Sequence, residues 1–174
     1  MIGPLPDHAD EGLQRAAGYA ILIGVLEDEA GLPGLLAIKD VPDGLEALVR
    51  RIAAASDESA RALRVRFMLA PAVETGVEGL PLVEIRARNH VAGRTTLALL
   101  SGRGDRLAVE LALSQLKATE YVAALAVALE EIEPRSERAM FLRELARRFA
   151  GFQSELMAWI GPEAGFADED RDSG

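Results

Sequence analysis

The chain has 174 residues, 49% of them hydrophobic, with a formal charge of −9 and no cysteine. That balance suits a globular protein with one core. The missing cysteines exclude disulfide frameworks, thiolate metal sites and cysteine nucleophiles, and the negative charge disfavours nucleic acid and anionic membranes as partners. The longest apolar run, Ala16 to Leu26, spans 11 residues, against about 20 for a membrane-spanning helix. With no signal-peptide pattern at Met1–His8, the expected compartment is the cytoplasm.

In chain order, Asp7 or Asp10 is placed to cap a short helix ending near Ala17. The segment from Tyr19 to Glu27 is apolar on every face, so its period does not separate a buried strand from a buried helix. Asp28 to Gly34 has the Gly and Pro content of a turn, and a second apolar run from Leu35 to Val41 follows it. Together they predict a hairpin. Asp43-Gly44-Leu45-Glu46 is a capping box opening a helix to about Arg61, with Leu45, Leu48, Ile52, Ala55 and Ser59 on one stripe.

Residues 63–69 and 81–91 alternate between apolar and polar, the pattern of half-buried strands, across a turn-like segment. Paired antiparallel, they turn Val65, Phe67, Val83 and Ile85 to the core. The other face then gathers Arg64, Arg66, Glu84, Arg86 and Arg88, with His90 at its end. Residues 61–106 hold eight Arg and four acids, a net of +4 that leaves −13 for the rest of the chain. Adjacent arginines repel one another unless an anion lies among them. Residues 94–101 suit either a strand or a helical turn. Gly102 to Asp105 breaks the pattern, and a helix rich in Ala and Leu runs from Arg106 to about Glu131. Beyond Pro134 the last helix, about Ser136 to Ile160, carries Leu145, Phe149, Phe152 and Leu156 as one stripe. Residues 161–174 read as an acidic mobile tail after a single domain over 1–160.

The expected fold is therefore α+β. An antiparallel sheet of four to five strands, from two hairpins around a helix, is followed by two long C-terminal helices. The alternative is an all-α four-helix bundle of ferritin-like type, two helical hairpins joined by a crossover. Leu48-Val-Arg-Arg-Ile-Ala and Leu145-Ala-Arg-Arg-Phe-Ala are its internal echo. The bundle needs a connection of about forty residues through the best strand patterns, which weighs against it in a compact domain.

Chemistry is sparse. The two histidines, His8 and His90, form no triad, and no phosphate-cradling glycine motif is present. In the bundle alternative, Glu110 and Glu120 are the carboxylates to consider as metal ligands. The last helix, however, offers Arg147, Arg148, Phe149 and Phe152 where further ligands would stand. No cofactor is expected. The function expected is a non-enzymatic interaction module, an adaptor, scaffold or chaperone-like protein acting as a homodimer, with an acidic protein segment or a second copy as partner. The first alternative is small-anion or small-ligand binding at Arg64, Arg66, Glu84, Arg86, Arg88 and His90. The second is a helical-bundle metal-binding protein. The homodimer follows from the 106–131 helix, where Leu107, Leu111, Ala118, Val122 and Leu125 make one apolar face and Val109, Leu113, Leu116, Ala123 and Val127 another.

Overall fold

Buried side chains along each half of the chain repeat every three or four residues, and the backbone follows that period. A computed structural model describes residues 8–36, 40–68 and 104–163. It places four helices: α1 (His8–Leu36), α2 (Asp43–Met68), α3 (Gly104–Ile132) and α4 (Ser136–Glu163). Tyr19, Leu22, Ile23 and Leu26 bury one face of α1. Leu45, Leu48, Val49, Ile52, Ala55 and Leu63 bury one face of α2. Leu107, Leu111, Val122, Ala126 and Leu129 from α3 meet Leu142, Leu145, Phe149, Phe152 and Leu156 from α4 in the same core. Pro42 precedes α2, and its carbonyl accepts from the Leu45 and Glu46 N–H groups, while Asp43 and Glu46 favour the positive end of that helix. Gly104 opens α3 at φ +56°, a left-handed conformation that costs glycine nothing.

Contacts fix the directions. Tyr19 meets Glu133 and Glu29 meets Gln115, so α1 and α3 are antiparallel. Arg51 meets Glu155 and Glu58 meets Arg148, so α2 and α4 are antiparallel. Arg143 pairs with Glu130 across the short α3–α4 turn. The helices α2 and α3 consequently run the same way, in a bundle of two helical hairpins. Gly18 packs against α3: a Cβ there would lie 2.8 Å from Leu129 Cδ2.

The α+β expectation is overturned, and the all-α bundle alternative describes the architecture. Among the described residues there is no strand. Residues 19–27 are helical because an all-round apolar run is equally a wide buried helix face, and 28–34 stay helical through Pro33. Leu22, Ile23 and Leu26 pack into the core, and such packing outweighs local propensity near a helix end. Residues 63–68 are also helix. Leu63 extends the buried stripe of α2, whereas Val65 is exposed and not in the core. A short alternating run weighs less than a stripe sustained from Leu45. Val83 and Ile85, the side chain of Phe67, the segment 94–101 and residues 164–174 of the expected tail lie outside the described residues, whereas residues 161–163 continue α4. The stripe on α4 holds: Leu145, Phe149, Phe152 and Leu156 are all buried.

Candidate functional site

On α3, the residues facing directly away from the core are Leu113, Lys117, Glu120, Ala124, Val127 and Glu131, all exposed. Successive steps of three or four keep them on one line of the helix. Beside this line, Ala123, Ala124, Val127 and Ala128 of α3 and Ala146 and Ala150 of α4 line an open groove of about 520 Å³ between Glu131 and Arg147. Small side chains let the two helices approach and leave this groove shallow and apolar. Farther along α4, Met157 stands exposed on the same side. The second apolar face read from the sequence of α3 divides accordingly. Leu116 and Ala123 pack against the core, while Leu113 and Val127 remain outside.

The sequence-derived binding residues are only partly placed. Arg64 donates Nε and Nη2 to Glu27 of α1, at 2.8 and 2.6 Å. The Arg66 guanidinium lies over the Phe141 ring of α4, 4.4 Å from its centroid, and the Arg66 carbonyl accepts from Arg138 Nη2 at 3.0 Å. A helix turns about 200° between positions two apart, so these two arginines reach different neighbours instead of sharing a strand face. Glu84, Arg86, Arg88 and His90 lie outside the described residues. Among the described residues no three or more His, Asp or Glu converge as a metal site. Glu110 is taken up by Arg106, and Glu120 is exposed. No helix among them is long and apolar enough to cross a membrane.

Two polar pairs lie inside the α1–α3 contact, and the sequence links neither residue to its partner. The Tyr19 hydroxyl donates to Glu133 Oε2 at 2.5 Å, and Glu133 Oε1 accepts from the Arg135 N–H at 3.1 Å. Burial, and then the Glu133 carboxylate, push the Tyr19 hydroxyl far above its ordinary pKa, so it stays protonated and keeps donating. Arg15 donates to the Ile132 carbonyl nearby at 3.4 Å. The second pair is Gln115 Nε2 donating to Glu29 Oε2 at 2.6 Å. Burial raises the Glu29 pKa, Asp28 adds to the rise, and the Gln115 bond opposes it. The Gln115 Oε1 atom is buried without a hydrogen-bond partner, as is Ser56 Oγ. Gln115 had a visible signal, a polar residue on the buried side of an apolar stripe. Tyr19 had none, because its partner lies 114 positions away.

These groups hold helices together, and none sets a nucleophile against a base. No family model, curated protein or solved structure matches the chain.

Proposed function

We propose that this protein is a non-enzymatic, cytoplasmic interaction module that works as a homodimer, with the outer α3–α4 face as its self-docking surface. The carrying observation is the exposure of Val127 beside an alanine-lined groove on a helix whose opposite side already fills the core. Surface side chains of that size are ordinary singly, but here Leu113, Val127 and Met157 lie along one hairpin face. The face also carries its own counter-charges, Glu131 on α3 and Arg147 on α4, which suits a second copy better than a uniformly acidic or basic partner.

Sedimentation equilibrium tests the reading. The full chain is expected to show a dimer mass at micromolar concentration, and Val127→Asp to give a monomer of unchanged helicity. A monomer for the unmodified chain at all accessible concentrations would remove the proposal.

A further inference from the structure

The charges on this face also choose how a second copy sits, an inference that rests on the self-association just proposed. On the α3 side the exposed charges along the line of Val127 are Lys117, Glu120 and Glu131, and on the α4 side those beside the groove are Arg143 and Arg147. Arg143 is already held by Glu130, at 2.5 Å. Arg147 has Glu144 at 3.8 Å, and both of those side chains are more than 70% exposed. A pair so loose and so wet contributes little within the chain, and leaves Arg147 open to another carboxylate.

Two arrangements bring the groove of one copy onto the groove of another. With a twofold axis across the helices, α3 lies antiparallel on the partner's α3. Centred on Ala124 and Val127, that brings Glu120 opposite the partner's Glu131, with Lys117 a turn away, and sets Arg147 against the partner's Arg147, and the symmetry repeats the repulsion. With the axis along the helices, α3 lies on the partner's α4 and positions at one level meet. The Glu130–Arg143 pair sets the register of the hairpin. In that register Glu131 falls beside Arg143 and within reach of Arg147. Val127 falls level with Ala146 and about one turn from Ala150, and Leu113 falls within a turn of Met157. One arrangement opposes like charges. The other sets carboxylate against guanidinium and a large apolar side chain against alanine.

We infer that two copies associate about a twofold axis parallel to the bundle, with α3 of each protomer seated on α4 of its partner, Val127 over the partner's Ala146 and Ala150, and Glu131 paired with the partner's Arg147. The interface is isologous, each contact occurring twice.

Charge exchange tests this on the full chain. Glu131→Arg and Arg147→Glu should each weaken dimerisation about tenfold or more at low ionic strength, read as the dissociation constant by sedimentation. Both changes in one chain should restore it to within about threefold. All three variants alter surface residues, and circular dichroism checks their helicity. A cysteine-free chain allows a second readout. Mixed Val127→Cys and Ala150→Cys proteins should oxidise mainly to the mixed disulfide dimer, whereas the crosswise axis gives a Val127→Cys dimer alone. Single reversals without effect, a double variant that stays weak, or Val127→Cys self-linking would each overturn the axis while the dimer stands. A monomeric unmodified chain would overturn the dimer itself.

Discussion

α1 crosses α3 through two polar pairs, and the pairs are built to different standards. At Tyr19 and Glu133 the hydroxyl gives its only hydrogen to one carboxylate oxygen, and a backbone N–H occupies the other. At Glu29 and Gln115 one amide hydrogen is used, while the amide oxygen is buried with no partner. Both pairs join α1 to α3, with Glu133 buried and Glu29 partly buried, so helix identity does not account for the contrast. Satisfaction does. A buried donor or acceptor left unpaired costs about 1–3 kcal/mol, whereas a completed bond contributes only about 1 kcal/mol net. The first pair therefore locks the hairpins together, and the second is a weak point in the same seam.

Substitutions break this contrast in order of effect. Tyr19→Ala should cost about 3–5 kcal/mol, because it opens a cavity in the core and also strips Glu133 Oε2 of its donor. Tyr19→Phe keeps the ring and should cost about 1–3 kcal/mol, the consequence of leaving Glu133 Oε2 unpaired. Urea unfolding of the two variants separates packing from bonding, and a Tyr19→Phe protein as stable as the original would show that the lock is only apolar contact.

Glu29→Gln should act in the opposite direction. A second amide can accept from Gln115 Nε2 and donate to the empty Gln115 Oε1, so the substitution should stabilise the protein by about 1 kcal/mol at neutral pH. The pH dependence follows from the raised pKa of Glu29 in the folded protein. Its contribution to stability is fully present below the unfolded pKa, when the group is protonated in both states. It is lost as pH rises through the folded value and the buried carboxylate must ionise. The advantage of Glu29→Gln should therefore vanish in acid, grow as pH rises from the unfolded towards the folded value, and level off above it. Equal gains at acid and neutral pH would show that ionisation is not the weakness.

The smallest effect belongs to an ion pair in water. Arg51 and Glu155 bond at 2.6 and 3.0 Å across α2 and α4, yet both side chains are largely exposed. Solvent screens them, so Glu155→Gln should change stability by at most about 0.5 kcal/mol, and less in salt. A loss comparable to that of Tyr19→Phe would mean that distance, more than burial, ranks these contacts.

The helices themselves were legible where apolar residues repeated over many turns. The stripe from Leu145 to Leu156, the opening of α2 at Asp43 and the break at Pro134 all appear in the structure. Class failed where patterns were short. Leu63-Arg64-Val65-Arg66 alternates as a strand does, but it is also the end of a stripe begun at Leu45. Gly31, Pro33 and Gly34 punctuate a chain that packing holds helical. The surplus apolar face of α3 was visible in the sequence, although its division between Leu116 and Ala123 inside and Leu113 and Val127 outside needed α4 in place. Of the polar seam only Gln115 left a local trace, and neither pairing was legible, because the partners are about 85–115 positions apart and no local pattern links them.

That separation has a kinetic consequence. Residues 133–135 close the α3–α4 hairpin over three positions, whereas the Tyr19–Glu133 bond closes a loop of 114. Loop closure grows costlier with length, and contacts remote in sequence slow folding. The α3–α4 hairpin is then the early element, and the tyrosine–carboxylate bond forms only when α1 arrives, as one of the last contacts of the productive encounter. Removing its hydroxyl should speed unfolding while leaving the folding rate nearly untouched.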